Sequence, residues 1–435
     1  MSNQMMDMLK RPKLEGPFDQ VYAKDNSEPM TQAEKEKKME EINPKGIYVL
    51  SYLMEPFFRS ATFIHSWILF FIIKLTKARF SFVRLAKGSV LALFIDVDTL
   101  RESHLLLMYF AVFSVGLTCI LLFVNFFLSR GKTLPRLALK KIDLKGKVAI
   151  VTGGYSGIGY ETVLQLLKWN CKVVICGRNK TKATNAIEKL KSTNSFDPYH
   201  VSFIEMDLDD LVSVKKASEV FLKNFDRLDF LINNAGLYVG GCETTKLDFE
   251  RNFSANFLGH FCLTQFLLET IKKSKGRIVN VSSMAHYHYD PNMDKILETK
   301  STTSLDMSEG SHYYGRSKFF MIWLSRTLQR KMREEKQMVL CFSMSPGLVK
   351  TPLTWPMKGN SLCLLPRFMA PLIMKRPVDG AATILYLCTA PPWQLVPGAY
   401  YSDCNLGLVS RHVNDKERED KLFNIAQEMV DNVLK

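Results

Sequence analysis

The chain has 435 residues, enough for one large α/β domain plus added segments. Its 47% hydrophobic and 23% charged content excludes a disordered chain, and 17 Pro with 23 Gly exclude collagen-like and low-complexity classes. The net charge of +15 suits an anionic partner, and nine cysteines with no CxxC pair argue against a disulfide framework or zinc site and for a reducing compartment.

Residues 1–47 are polar and mixed in charge and read as a mobile tail, with a short helix over 31–41 and no apolar run marking a secretory signal. Residues 48–102 are partly apolar. Within them, 60–73 is 14 residues long without Asp, Glu, Lys or Arg, which is short for a span and suits an interfacial helix. Residues 103–129 are different, because 27 residues pass without one of those charges and about 20 cross a bilayer. We read a transmembrane helix there. The basic linker 130–141 follows, and the excess formed by Arg130, Lys132, Arg136, Lys140, Lys141, Lys145 and Lys147 puts everything after it on the cytosolic side. The same run accounts for part of the net charge, and no aromatic-interleaved basic motif points to nucleic acid.

From Lys147 onward, short apolar runs alternate with amphipathic stretches. KVAIVTGG, CKVVICG, VSFIEMD, DFLINNAG, GRIVNVSS and MVLCFSMSPG read as strands, with helices over 158–170 and 181–191 among those between them. Such alternation predicts parallel pairing with helices on both faces. The last residues, 409–435, place Leu422, Phe423, Ala426, Met429, Val430, Val433 and Leu434 on one helical face, as in a docked helix.

The first strand runs into Thr152-Gly153-Gly154-Tyr155-Ser156-Gly157-Ile158-Gly159 and a helix. Glycines there permit a tight turn and close approach to a pyrophosphate, which the helix N-terminus attracts. At the end of the second strand, where an acid would bind the ribose hydroxyls of NAD, stands Gly177-Arg178-Asn179-Lys180. Arg178 suits a 2′-phosphate and favours NADP over NAD. Asp207-Leu208 and Asn233-Asn234-Ala235-Gly236 follow the third and fourth strands and line the same expected crevice, although each also suits an ordinary turn.

Tyr314 and Lys318 stand four apart on a helix. A neighbouring ammonium is expected to lower the phenol below its usual value of about 10, so that Tyr314 can exchange a proton with a substrate oxygen. Ser283, ending a strand, could hold that oxygen. Asn256, in FSANFLGHF, reads either as a packing amide or as an anchor for a proton relay from Lys318. His260, His286 and His288 lack the carboxylate or cysteine spacing of a metal site, and none is expected.

The ordered set TGGYSGIG, NNAG, FSANFLGHF, GRIVNVSS, YYGRSK and SPGLVKT resembles the short-chain dehydrogenase/reductase superfamily over 142–408. Within it, FxxNxLGHFxLT and GAYYSDC resemble the retinol-dehydrogenase-like branch, which includes X-linked dehydrogenase/reductase relatives. The resemblance implies a single Rossmann-type, doubly wound parallel α/β sheet domain, preceded here by a membrane-anchoring region. It implies a catalytic tetrad of Asn256, Ser283, Tyr314 and Lys318, with Tyr314 as acid/base. Around the cofactor it implies Gly153, Gly157, Gly159, Arg178, Asp207 and Asn233, and near the nicotinamide Pro346, Gly347 and Thr351. Homodimer formation through two long helices is common in the superfamily.

Two segments depart from the pattern or extend it. Ser283 and Tyr314 are 31 residues apart, and the long insertion between them is expected to border the substrate entrance. Residues 361–374 form an apolar stretch with two prolines, which family analogy makes a lid over an apolar pocket. Together with the membrane helix this predicts a lipophilic alcohol or carbonyl substrate (retinoid, steroid, polyprenol or fatty aldehyde), in the endoplasmic reticulum or another organelle membrane. The alternative is a non-catalytic dinucleotide-binding scaffold or redox sensor.

Overall fold

The computed structural model describes residues 142–239, 243–289, 307–351 and 374–435, with the single positions 116 and 353. The predicted tail, interfacial segment, transmembrane helix and basic linker lie outside the described residues, Gly116 aside. So do most of the insertion after Ser283 and most of the lid. Among the described residues no helix is long and apolar enough to cross a membrane.

The strands are β1 Val148–Thr152, β2 Lys172–Gly177, β3 Val201–Glu205, β4 Phe230–Asn233, β5 Arg277–Val281, β6 Leu340–Ser345, β7 Tyr400–Ser402 and β8 Asn405–Leu406. They form one sheet in the order β3-β2-β1-β4-β5-β6-β7-β8, parallel throughout except for the antiparallel β7–β8 edge. The helices are α1 Gly157–Lys168, α2 Lys180–Lys191, α3 Leu211–Asn224, α4 Gly259–Ser274, α5 Met307–Glu334, α6 Pro377–Thr389 and α7 Lys416–Leu434.

The strands read as unbroken apolar runs because both faces of the sheet are covered. On β1, Val148 and Ile150 enter one core, while Ala149 and Val151 enter the other. On β2, Val174 and Cys176 face the first and Val173 and Ile175 the second. Residues of α3, α4, α5 and α7 fill the first core, and residues of α1 and α6 the second. Helix α1 stops because Asn170, just beyond it, takes a left-handed φ of 64°, a conformation Asn tolerates better than most residues.

Helix α7 docks as its apolar face predicts. Leu422, Ala426 and Val430 are buried in the first core, and the Phe423 ring meets Phe261 of α4 edge-on at 5.0 Å. Glu419, 1% exposed, is held by Arg326 and Arg330 of α5. The C-terminal helix therefore lies across α4 and α5.

One local departure from regular helix sits before α4. A short turn Arg251–Phe253 leads into a π-helical turn, Ser254–Leu258, in which the Gly259 amide reaches back to the Ser254 carbonyl. Such bulges cluster at functional sites. A Cβ on Gly259 would lie 2.4 Å from the Leu208 carbonyl oxygen, so the chain after β3 presses on this turn through a position only glycine fits.

Candidate active site

The carboxyl ends of β1, β2, β4, β5 and β6 bring the predicted residues to one edge of the sheet. The strand order reverses at β1, with β2 on one side and β4 on the other, which opens a crevice where their following loops diverge. Gly153 enters this crevice with φ +64°, and its amide donates to the Cys176 carbonyl at 2.8 Å. Helix α1 then begins with Ser156 as its N-cap. The Ser156 side chain makes no cap hydrogen bond and the first turn holds no acid, so the amide donors of the helix start face the crevice uncapped by their own chain. A helix N-terminus left in this state, behind a glycine turn, fits the pyrophosphate of a dinucleotide.

The ring of Tyr155 lies against the end of β2, where a Cβ on Gly177 would come within 2.4 Å of it. Arg178 stands beside it, half exposed, with its guanidinium 3.5 Å from Asp209. Asp209 is also bound by Arg251 at 3.3 Å, so Arg178 can turn to another anion without stranding that carboxylate. Asp207 is spent largely on its own turn, where its carboxylate accepts from the Asp209 amide at 3.1 Å. Leu208 is buried against Gly259.

The NNAG segment divides its labour in a way the sequence does not reveal. The Asn233 amide is buried and donates to Asn280 of β5 at 2.8 Å and to Thr264 of α4 at 3.2 Å. Through these two bonds it braces sheet to helix at the end of β4, beside the crevice. Asn234 instead ties the loop to β1, donating its amide nitrogens to the Thr152 hydroxyl (2.9 Å) and carbonyl (2.8 Å). The Ala235 amide donates to the same hydroxyl at 2.8 Å. Gly236 follows, at a point where a Cβ would lie 3.2 Å from Lys318 Nζ and 3.3 Å from Asn256 Oδ1.

Asn256 sits in the π turn with its side chain fully engaged. Its Oδ1 accepts from the Leu237 amide at 2.8 Å, and its Nδ2 donates to the Leu237 carbonyl and the Ser317 hydroxyl, both at 3.0 Å. Ser317 lies between Tyr314 and Lys318 on α5, so Asn256 joins the loop after β4 to that helix. The Lys318 ammonium donates to the Val281 carbonyl at 2.9 Å and lies 5.8 Å from the Tyr314 ring centre. The Tyr314 phenol hydrogen-bonds the Ser283 hydroxyl. Ser282 points elsewhere, donating to the Lys318 carbonyl at 2.6 Å and so pinning α5 to β5. All four expected tetrad residues converge.

Electrostatics differ from the sequence expectation in one respect. Desolvation pushes the Tyr314 phenol up to about 12, and the Ser283 hydrogen bond offsets this only in part. Lys318 Nζ donates to the Val281 carbonyl, and burial pulls its ammonium down to about 8. The phenol is thus an acid at neutral pH.

Beyond β6, Gly347 takes φ +77° and packs against Lys375, whose ammonium pairs with Asp403. Pro346 and Thr351, half-buried, share this segment, which lies next to the start of α6. Two of the histidines make hydrogen bonds near the site. His286 contacts the Ser283 carbonyl through Nδ1 at 2.6 Å and accepts from the Ser410 amide at 3.3 Å. His260, 0% exposed, bridges Thr152 and the Asn256 carbonyl. Among the described residues no three His, Cys, Asp or Glu side chains gather as a metal site. Tyr155 and Asn234 are legible in the sequence only as members of their loops, and Ser317, between Tyr314 and Lys318, has no signal of its own. Only His260, four residues beyond Asn256 on a helix, carried a readable signal.

Comparison with known proteins agrees with this architecture. The short chain dehydrogenase family profile matches residues 147–294. The chain is 32% identical over 307 residues to the short-chain dehydrogenase TIC 32 B, chloroplastic, of Brassica napus, covering 67% of this chain and 91% of that one. It is 31% identical over 290 residues to retinol dehydrogenase 12 of Mus musculus (66% and 88% covered). It is 34% identical over 263 residues to polyprenol dehydrogenase of Homo sapiens (58% and 76% covered).

Proposed function

The chain belongs to the short-chain dehydrogenase/reductase family as an NAD(P)-dependent oxidoreductase, and on that premise we propose that it interconverts an alcohol and a carbonyl on a lipophilic substrate, with NADP(H) as cofactor. The observation that carries this reading is the meeting of the Tyr314 phenol with the Ser283 hydroxyl, one helical turn from the buried Lys318 ammonium. A scaffold or sensor has no need of that group of side chains.

The bound dinucleotide supplies or accepts the hydride. Thr152, Gly153, Ser156, Gly157, Ile158 and Gly159 with the start of α1 would hold its pyrophosphate, and Asp207, Leu208, Ala235 and Gly236 would border its length. Arg178, beside Tyr155, would take a 2′-phosphate, which selects NADP. Pro346, Gly347 and Thr351 would meet the nicotinamide end. In carbonyl reduction, Ser283 donates a hydrogen bond to the substrate oxygen and Tyr314 gives that oxygen its proton. Lys318 stabilises the phenolate left behind, and Asn256 holds the loop and helix in register. The reverse reaction returns the proton to Tyr314.

The lipophilic substrate class is supported by the names of two relatives, a retinol and a polyprenol dehydrogenase. It is also supported by the rim of the site, where Tyr238 meets the Tyr314 ring edge-on at 5.6 Å and Met284, next to Ser283, is 52% exposed. The uncharged stretch 103–129 supports anchoring to an organelle membrane with the catalytic domain in the cytosol.

Tyr314→Phe removes the exchangeable proton and keeps the ring. It is expected to lower kcat by about 10²–10⁴-fold with NADPH binding intact. Wild-type turnover by this variant would refute the assignment, and NADPH binding without turnover by the unmodified chain, across lipophilic carbonyls, would favour the scaffold.

A further inference from the structure

His260 stands at the start of α4, 0% exposed, with its ring spanning the two halves of the site. Nδ1 is 3.0 Å from the Asn256 carbonyl oxygen and Nε2 is 2.9 Å from Thr152 Oγ1. A carbonyl only accepts, so these partners assign the proton to Nδ1 and leave the lone pair of Nε2 to the Thr152 hydroxyl. Thr152 Oγ1 in turn accepts from the Asn234 and Ala235 amides at 2.9 and 2.8 Å. One hydrogen-bonded chain therefore runs from the loop after β4, through Thr152 and the imidazole, to the π turn that carries Asn256. Burial keeps the ring neutral, as this pattern of one donor and one acceptor requires.

An apolar side chain could fill the same volume but could make neither bond. Each bond lands on a different function: Asn256 on the tetrad, and Thr152 with its loop on the cofactor crevice. Both lead to the neighbourhood of Gly236, where an added Cβ would lie 3.2 Å from Lys318 Nζ and 3.3 Å from Asn256 Oδ1.

We propose that His260 is a positioning residue that sets the two halves of the site separately, the tetrad turn through Nδ1 and the cofactor loop through Nε2. The proposal rests on the reading of the site given above. It predicts that the two functions can be uncoupled by substitutions that keep one arm each.

The test uses the full-length chain as wild type, His260→Asn, His260→Gln and Tyr314→Phe. Asn keeps a donor near Nδ1 and gives up Thr152, whereas Gln can offer an amide oxygen near Nε2 and gives up the Asn256 carbonyl. The measurements are the NADPH dissociation constant by fluorescence without substrate, kcat at saturating NADPH, and the melting temperature. His260→Asn is expected to weaken NADPH binding about tenfold and hold kcat within about threefold, and His260→Gln to do the reverse. Losses of both readouts together that track the melting temperature, or no change in either, would overturn the proposal. Wild-type turnover by Tyr314→Phe would instead sink the reading of the site, while the NADPH-binding difference between the two His260 variants would still test the Thr152 arm.

Discussion

At the scale of the residue, desolvation governs the chemistry of the site. Lys318 is held at about 8 against an ordinary 10.5, and Tyr314 at about 12 against 10. Raising the pH through 8 therefore removes the ammonium while the phenol keeps its proton. We expect kcat/KM for carbonyl reduction to be flat below pH 7 and to fall with a midpoint near 8, while alcohol oxidation, which needs the phenolate, gains with pH. Lys318→Met should abolish the reduction limb, and a wild-type limb at the ordinary lysine value would contradict this account. His260 makes the opposite demand on stability. Its folded value is lowered to about 3 from 6.5, so the unfolded chain binds the proton first and stability is lost as pH falls below 6.5. The slope from this one group reaches at most about 1.4 kcal/mol per pH unit. Thermal melts of His260→Gln between pH 4 and 7 should show a shallower acid dependence than wild type. On the proposed NADP preference, Arg178→Ala is expected to weaken NADPH about 10–100-fold with little effect on NADH, since a charge-assisted contact contributes roughly 1.5–3 kcal/mol.

At the scale of the element, the sequence was most readable where both sheet faces are buried, since β1 through β6 each announced themselves as short apolar runs. The motifs FSANFLGHF, GRIVNVSS and YYGRSK carry the four tetrad residues that the family resemblance implies. What could not be read was how side chains of adjacent residues part company. Asn233 and Asn234 are chemically identical neighbours, and only the direction of β4 decides which braces the core and which ties the loop. The π turn was equally hidden, because its extra residue follows from the contact of Gly259 with Leu208, 51 positions earlier in the chain. The docked α7 was legible from its apolar face, although its partners α4 and α5 were not. Leu422→Ala, at the centre of that contact, is expected to cost about 2–5 kcal/mol in denaturant unfolding, whereas the exposed Lys421→Ala should stay within about 0.5 kcal/mol. Equal effects would mean that α7 is not packed as described.

At the scale of the whole molecule, a parallel sheet with a switch point at β1 gathers the cofactor turn, the tetrad and the segment after β6 at one edge. Helix α7 crosses α4 and α5 and covers part of both long helices, so we expect the chain to behave as a monomer in light scattering. The most direct measurement is oxidation of NADPH against NADH by the full-length chain with retinal, a steroid ketone, a polyprenal and a fatty aldehyde, run beside Tyr314→Phe. The account predicts turnover of at least one of these carbonyls with NADPH preferred, and its loss in the variant. Turnover that survives Tyr314→Phe, or a chain that binds neither dinucleotide, would contradict it.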